Sequence, residues 1–389
     1  MQKPIIIIGA GLAGWTSARE FRKLDKTTPV LLITADSGDF YAKPALSNAF
    51  AQKRGPAQLV TTTAASMVAS QRVMLRAHTR VTAIDTASQT VHTSAGDFNY
   101  ARLVLATGAQ PIRVPMAGDA ASEVLSVNSW QDFSQFHQRL TGANDAPEEV
   151  GASKHVVIMG AGLIGCEFAN DLISSGFAVS VVDPSSNPIA ALLPVALGGQ
   201  LREALAEQGV AWHFGTTVQA VDHQPGRSGG LAVRLANGQT LLADVVLSAI
   251  GLRADLGLAQ AAGLRCERGM VVDASLQTSA ANVYALGDAV QYAGGRTMPY
   301  VMPIMHAAKA LAATLAGQPT RVHFPLMPVV IKTPALPLVV APAAAGTVGQ
   351  WAPSEPGVWL FTDATQAVKG FALSGARTSR RAELAKQVV

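Results

Sequence analysis

Cysteine is scarce in this chain, and its scarcity excludes several kinds of chemistry. The 389 residues include 2 cysteines, Cys166 and Cys266, which form no C-x-x-C pair. A redox-active disulfide and a zinc ribbon both need closely spaced cysteines, so we expect neither, and we expect no metal site. Low cysteine use is also typical of proteins in the reducing cytoplasm, which is the location we predict.

Long apolar runs and basic clusters are lacking as well. No run of 18 uninterrupted apolar residues is present, so we expect no transmembrane span. The formal net charge is +4, but no Lys/Arg run or interleaved aromatic pattern indicates a nucleic-acid partner. The positive charge serves either solubility alone or a basic face for an acidic partner.

A glycine fingerprint is what the chain does have, and it is present twice. Gly9-Ala10-Gly11-Leu12-Ala13-Gly14 follows the apolar run 5–8, and Gly160-Ala161-Gly162-Leu163-Ile164-Gly165 follows the apolar run 156–159. Each pattern predicts a buried parallel strand, a G-x-G-x-x-G turn and an amphipathic helix, an arrangement that binds a dinucleotide pyrophosphate at the helix N-terminus. Two such turns suggest two dinucleotides, with electrons passing between them.

Acidic residues after each turn are candidates for the ribose. Asp183 ends the second strand of the second repeat, where a carboxylate accepts ribose hydroxyls and repels a 2′-phosphate, which favours NADH over NADPH. In the first repeat, Ala35 occupies the usual acidic position and Asp36 follows it. Asp183 could instead be a solvated turn residue before Pro184.

The rest of the chain repeats this organisation and predicts an α/β fold. The segments 102–109 and 244–251 are both apolar strands that end in glycine, Gly108 and Gly251. A polar linker covers 141–153, and a helix is predicted near 303–316. We predict two Rossmann-like dinucleotide-binding domains and a small α+β C-terminal domain. The predicted boundaries are 1–113 with 243–317, 114–242, and 318–389.

Three side chains near these motifs have two interpretations each. Glu167 on the second helix either satisfies the helix dipole or faces the site where two cofactors meet. Cys166 is more readily a small packed residue than a redox thiol. His306 could donate a proton, although a structural role is the simpler interpretation.

Five ordered motifs together resemble one family across essentially the whole chain, the flavoprotein pyridine nucleotide oxidoreductases with two dinucleotide folds, similar in fold to glutathione reductase. The motifs are Gly9–Gly14, Thr107-Gly108-Ala109 with Pro111, Gly160–Gly165 with Cys166-Glu167, Ala249–Arg253 and Tyr284–Asp288. The segment Tyr41–Ser47 resembles the segment over the flavin in reductases of small iron carriers. The segments Gly165–Leu172 and Val330–Pro334 are most similar to reductases of rubredoxin, and reductases of flavorubredoxin are similar too.

This resemblance implies FAD at the first turn and NADH at the second. Implied FAD contacts are Gly9, Ala10, Gly11, Leu12, Ala13, Gly14, Ala35, Asp36, Lys43, Pro44, Val81, Ala106, Thr107, Gly108, Gly287, Asp288, Val301 and Lys332. Implied NADH contacts are Gly160, Gly162, Leu163, Ile164, Gly165, Glu167, Asp183 and Gly251. Lys43, whose charge would stabilise the reduced flavin, and Glu167 are the implied catalytic residues.

The resemblance also implies the reaction. A hydride passes from NADH to the flavin, and single electrons then leave to rubredoxin, a small acidic carrier, which would feed an alkane hydroxylase or a similar chain. Basic residues would steer the carrier, with Lys43, Lys53, Arg54, Lys309 and Lys332 as candidates. A ferredoxin or flavorubredoxin reductase, a flavin-bound signalling or binding protein, and an oxygen-reducing NADH oxidase remain alternatives.

Overall fold

The computed structural model describes residues 2–142 and 153–389, which leaves most of the predicted linker at 141–153 outside the described residues. The chain divides into two compact units, each assembled from segments distant in the sequence. The first unit comprises Met1–Ala42, Val60–Gln110 and Leu252–Pro325, and the second comprises Lys43–Leu59, Pro111–Gly251 and Leu326–Val389.

The first unit is built around a five-stranded parallel sheet. In spatial order its strands are Val283–Ala285, Arg102–Leu105, Ile5–Ile8, Val30–Ile33 and Met74–Arg76. Ile5–Ile8 and Val30–Ile33 are buried along their whole length, as expected of parallel strands covered on both faces. The predicted first strand–helix–strand unit is therefore confirmed.

Helices cover this sheet and smaller strands surround it. The helices of the unit are Leu12–Leu24, Ala64–Gln71, Gly257–Ala261 and Val301–Leu315, with a short 3-10 helix at Ala293–Gly295. Helices Leu12–Leu24 and Val301–Leu315 pack against each other. The remaining strands are Phe40–Tyr41, Val60–Thr62, Val81–Asp85, Thr90–Thr93, Gly96–Asn99, Ala109–Pro111, Leu252–Ala254, Met270–Val271, Val290–Tyr292 and Arg296–Thr297.

The second unit contains a parallel sheet of the same kind. Its four strands in spatial order are Ala211–Phe214, Ala178–Asp183, His155–Met159 and Val245–Ser248. A three-stranded antiparallel sheet of Val218–His223, Leu231–Leu235 and Thr240–Ala243 accompanies it. The predicted second strand–helix–strand unit is thus confirmed, as is the closing strand after residue 244.

The helices of the second unit are Pro56–Leu59, Trp130–Thr141, Leu163–Ile173, Val195–Glu207 and Arg381–Leu384, with 3-10 helices at Lys43–Asn48, Ala121–Glu123 and Gly375–Arg380. The C-terminal segment adds a five-stranded antiparallel sheet. Its strands in spatial order are Val329–Ile331, Leu338–Ala341, Val368–Ser374, Val358–Thr362 and Gln350–Glu355. The short apolar runs 329–331 and 338–340 lie in the first two of these strands.

The predicted domain boundaries stay a prediction, and the compact units differ from them in two stretches. Val245–Ser248 pairs with His155–Met159 and so lies in the second unit, whereas the boundary at 243 assigns it to the first domain. Lys43–Leu59 also belongs to the second unit, because it packs on helix Leu163–Ile173.

The helix predicted from 303 begins at Val301, since proline is tolerated in a first helical turn. Across residues 2–142 and 153–389, no helix combines the length and apolar character that a membrane crossing requires.

Candidate functional site

The first glycine turn has the geometry of a phosphate cradle. A Cβ added at Gly14 would lie 1.9 Å from the carbonyl oxygen of Gly9, and one at Gly9 would lie 2.3 Å from that of Ala106. A Cβ at Gly11 would meet nothing within 4 Å, and Gly11 begins helix Leu12–Leu24 without a side-chain cap. Two glycines thus allow close packing, while the third leaves the helix N-terminus open to an anion, which fits the pyrophosphate of FAD.

Several other residues predicted to contact FAD lie in the same unit. Gly287 approaches the first turn of that helix, because a Cβ there would lie 3.2 Å from Cβ of Ala13. This contact places Asp288 near the glycine turn, as the resemblance implies. Thr107 and Gly108 follow strand Arg102–Leu105, next to strand Ile5–Ile8 in the sheet. Val81 begins the strand Val81–Asp85, and Val301 lies exposed at the start of helix Val301–Leu315.

Asp36, the acidic residue after the first glycine turn, accepts hydrogen bonds from its own sequence neighbours. Asp36 Oδ1 accepts hydrogen bonds from Thr34 Oγ1 at 2.6 Å and from the Gly38 amide at 3.1 Å. Asp36 and Ala35 are both exposed directly after strand Val30–Ile33. A ribose contact of Asp36 through its second oxygen therefore stays a prediction.

The second glycine turn repeats the first in detail. A Cβ at Gly165 would lie 1.9 Å from the carbonyl oxygen of Gly160, and one at Gly162 would meet nothing within 4 Å. Gly162 begins helix Leu163–Ile173 without a side-chain cap, and Ile164 is exposed on its first turn. Gly251, with φ of +111°, follows the strand Val245–Ser248 that neighbours His155–Met159.

Asp183 lies at the end of its strand, beside the second glycine turn. Its Oδ2 accepts a hydrogen bond from the Ala161 amide at 2.7 Å, and its Oδ1 accepts one from the Ser185 amide at 2.7 Å. The carboxylate is therefore fixed against the turn rather than loose in solvent. Each oxygen keeps a further lone pair that can accept from a ribose hydroxyl, and the ribose contact of Asp183 stays a prediction.

Glu167 is the centre of a buried polar cluster within the second unit. Its carboxylate is 4% exposed and accepts hydrogen bonds from Ser47 Oγ at 2.6 Å and from the Lys332 backbone amide at 3.0 Å. Lys332 Nζ lies 2.6 Å from Oε2 of Glu167, 2.8 Å from Ser47 Oγ, and within hydrogen-bond distance of the Pro44 carbonyl. The structure therefore brings together Glu167, Lys332 and Pro44, three residues predicted from the resemblance.

Asp171, one helical turn after Glu167, is a second buried carboxylate that sequence reasoning missed. It is 3% exposed and accepts the amides of Phe50 at 3.1 Å and Ala51 at 2.8 Å. Burial raises its pKa to about 6, against the opposing effect of these two hydrogen bonds and of Lys332. Its spacing of four from Glu167 in an apolar helix was the available signal. Ser47 was missed as well, although it lies in the quoted segment Tyr41–Ser47.

Lys43, Cys166 and His306 are the remaining candidate residues. Lys43 is exposed and its Nζ donates to Asn128 Oδ1 at 3.3 Å. Cys166 is fully buried, its thiol faces the Ala161 carbonyl, and burial raises its pKa, which agrees with a packed residue. His306 is half-buried on helix Val301–Leu315. Among the described residues, no group of three His, Cys, Asp or Glu side chains is arranged to hold a metal.

Two family models match the chain. One, described as pyridine nucleotide-disulphide oxidoreductase, covers residues 3–313, and the other, described as rubredoxin binding C-terminal domain, covers residues 321–388. Glu167 and Ser47 fall in the first model and Lys332 in the second, so the buried cluster joins the two matched regions.

Several similar proteins match nearly the whole chain. A rubredoxin-NAD(+) reductase from Alcanivorax borkumensis is 42% identical and covers 99% of this chain and 98% of its own length. A nitric oxide reductase FlRd-NAD(+) reductase from Aeromonas salmonicida is 41% identical over 90% of this chain and 87% of its own length. Among solved structures, the putidaredoxin reductase of a covalent complex with putidaredoxin is 24% identical, with a TM-score of 0.86 over 99% of this chain and 93% of that one. That structural likeness shows the fold.

Proposed function

Because this chain belongs to the pyridine nucleotide-disulphide oxidoreductase family, we propose that it is an FAD-dependent reductase that takes electrons from NADH and delivers them to a rubredoxin. One observation carries the proposal, the presence of two open glycine turns at two helix N-termini. Each turn fits one dinucleotide pyrophosphate. The matched C-terminal region, residues 321–388, supports a rubredoxin as the partner.

The residues of the two turns bind and orient the two cofactors. FAD, when bound, supplies the chemistry that connects a two-electron donor to a one-electron acceptor. The amides after Gly11 and Gly162 hold the pyrophosphates, and Asp183 accepts a ribose hydroxyl of NADH and repels a 2′-phosphate. Within the second unit, the Glu167 carboxylate fixes Lys332 and Ser47 in place.

Both cysteines lie among the described residues, and they form no disulfide with each other. The 2 cysteines lie far apart in the sequence, and Cys166 is a buried thiol with a raised pKa. Thiol–disulfide exchange requires a reachable thiolate, so electrons leave the protein without passing through a cysteine pair. This feature supports an external protein acceptor over a disulfide substrate.

A direct comparison of carriers tests the function. The purified holoenzyme is mixed with NADH and, separately, with a rubredoxin, the rubredoxin domain of a flavorubredoxin and a [2Fe–2S] ferredoxin, and carrier reduction is followed by stopped-flow absorbance. We expect the rubredoxin to be reduced fastest, with multiple turnovers. Faster reduction of the ferredoxin would overturn the proposal, as would vigorous oxygen uptake without any carrier.

The rubredoxin domain of a flavorubredoxin is the second candidate partner, because several relatives near 40% identity are flavorubredoxin reductases. A higher rate with that domain than with free rubredoxin would assign the chain to that system. We also propose a cytoplasmic location, which is supported by the two free cysteines and by the use of NADH.

A further inference from the structure

Helix Leu163–Ile173 carries a row of buried polar side chains on one face. Glu167, Asn170 and Asp171 are spaced three and four residues apart, so their side chains are neighbours on the helix surface. All three are buried, and a buried polar side chain costs free energy unless it is hydrogen-bonded. Each of them bonds to a segment that is distant in the sequence but belongs to the same unit. The row therefore attaches two other segments to the helix.

Asp171 holds the turn that follows the 3-10 helix Lys43–Asn48. The Phe50 amide donates to Asp171 Oδ2 at 3.1 Å, and the Ala51 amide donates to Asp171 Oδ1 at 2.8 Å. Earlier in the same segment, Ser47 Oγ donates to Glu167 Oε2 at 2.6 Å. The segment is therefore attached to the helix at two points, one through Glu167 and one through Asp171.

Asn170 holds the turn that follows Lys332 in the same way. The Ala335 amide donates to Asn170 Oδ1 at 3.0 Å, and the Lys332 amide donates to Glu167 Oε1 at 3.0 Å. The backbone between these two points is closed into a turn, because the Leu336 amide donates to the Thr333 carbonyl at 2.9 Å. This second segment is therefore attached through Glu167 and Asn170.

A second attachment point fixes the orientation of each segment as well as its position. With Glu167 alone, each segment could pivot about a single carboxylate, whereas reacting groups must be held to within about 0.5 Å. Ser47 Oγ and Lys332 Nζ each lie 2.6 Å from the Glu167 carboxylate. The same helix begins at Gly162, where the NADH pyrophosphate is predicted to bind. One rigid helix thus carries the predicted NADH turn and the cluster around Glu167.

We propose that Asn170 and Asp171 are positioning residues of the reductase, which keep Lys332 and Ser47 on Glu167 and so set the rate of hydride transfer from NADH. The proposal rests on the proposed function. Asn170 and Asp171 are not among the predicted cofactor contacts. They act through Glu167, which the resemblance implies is a catalytic residue.

Aromatic packing keeps the turn at 50–51 folded independently of Asp171. The ring of Phe50 stacks on His137, with centroids 5.2 Å apart, and meets the rings of Phe133, Phe136 and Phe177 at 5.7, 5.9 and 5.5 Å. Such aromatic contacts contribute to stability beyond the area they bury. Loss of a hydrogen bond to Asp171 therefore loosens the turn without unfolding the unit.

Asp171→Asn tests the attachment of the 43–51 segment. The amide keeps the size of the side chain but turns an N–H donor toward one of the two backbone amides. We expect amide exchange in residues 46–52 of the holoenzyme to speed about tenfold, because a hydrogen bond to a charged group is lost. We expect the limiting rate of flavin reduction by NADH, followed by stopped-flow absorbance, to fall about tenfold, with the Kd for NADH within about twofold of wild type. Ser175→Ala is the matched control, because the Ser175 hydroxyl donates to the Asp171 backbone carbonyl at 2.7 Å.

Asn170→Leu tests the second segment separately. Leucine has a similar size but no acceptor for the Ala335 amide, so we expect faster exchange in residues 332–338, with residues 46–52 unchanged. The limiting rate should fall by a similar factor, about tenfold, again with little change in the Kd for NADH. Ser174→Ala is the control, because it removes the other partner of Asn170, whose Nδ2 donates to Ser174 Oγ at 3.1 Å, and keeps the Ala335 contact. Thermal unfolding of each variant confirms that the fold is kept.

The outcomes separate this inference from the proposed function. If NADH does not reduce the flavin of the wild type, or if the reduced wild type does not reduce rubredoxin, the proposed function is wrong. If the wild type turns over but both variants exchange faster and keep the limiting rate of their controls, Asn170 and Asp171 support only the fold and this inference is overturned. Unchanged exchange in both variants would overturn it as well, because the two side chains would then not hold the segments.

Discussion

Asp171 shows how a single buried carboxylate links the fold of the second unit to pH. Burial raises the pKa of Asp171 to about 6 from its ordinary value of 3.8, so the folded state holds its proton more tightly than the unfolded chain does. The stability that protonation contributes is complete below about pH 4 and is lost as pH rises through about 6. Asp171→Asn removes this titration while keeping the size of the side chain.

We therefore expect the stability advantage of the wild type over Asp171→Asn to shrink between pH 4 and pH 8, by at most about 3 kcal/mol. Hydrogen exchange of helix Leu163–Ile173 measures the opening free energy of the region at each pH. Asp363→Asn is the control, because hydrogen bonds from Thr365 lower the pKa of Asp363 to about 2. The change in opening free energy caused by Asp363→Asn should therefore be the same at every pH in this range. If the change caused by Asp171→Asn were equally independent of pH, the expected proton linkage of Asp171 would be contradicted.

At the scale of elements, the third glycine of each turn sets how closely helix and strand approach. A Cβ at Gly165 would overlap the Gly160 carbonyl oxygen, so Gly165→Ala must push helix Leu163–Ile173 away from the turn. We expect NADH binding to weaken at least about tenfold, roughly 1.4 kcal/mol, while the FAD content stays unchanged. Titration of the holoenzyme with NADH measures the first quantity, and flavin absorbance measures the second.

Gly199→Ala provides the matched control within the same unit. Gly199 lies in helix Val195–Glu207, and a Cβ there would meet nothing within 4 Å. This variant should bind NADH normally and gain about 0.5–1 kcal/mol of stability from better helix propensity. Normal NADH affinity in Gly165→Ala would show that the turn tolerates a wider helix–strand spacing than its geometry indicates.

The same elements show what could be predicted from the sequence. The strand–turn–helix units were predictable because glycine spacing and unbroken apolar runs are local signals, and Asp183 was predicted as a ribose ligand from its distance to the turn. No local sequence pattern predicts the contacts around Glu167. Ser47 lies 120 residues before Glu167 and Lys332 lies 165 residues after it, so only folding brings them together. Resemblance supplied Lys332, whereas neither pattern nor resemblance singled out Asp171.

At the scale of the whole molecule, we propose that the two cofactors bind at separate glycine turns in separate units. The helix Leu12–Leu24 belongs to the first unit and the helix Leu163–Ile173 to the second, and each has its open glycine at the N-terminus. A ligand that binds only the folded form stabilises what it contacts, by about 2.7 kcal/mol at 100 times its Kd. FAD and NAD+ should therefore protect different helices.

We expect removal of FAD to speed amide exchange in residues 9–24 more than in residues 160–173, and addition of NAD+ to the holoenzyme to slow exchange mainly in residues 160–173. Hydrogen exchange with mass spectrometry measures both changes in the full chain. Helix Val195–Glu207 serves as the internal control, because it carries no residue predicted to contact either cofactor. Stronger protection of residues 9–24 than of residues 160–173 by NAD+ would reverse the assignment of the two turns, because phosphate binding protects the amides that hold it.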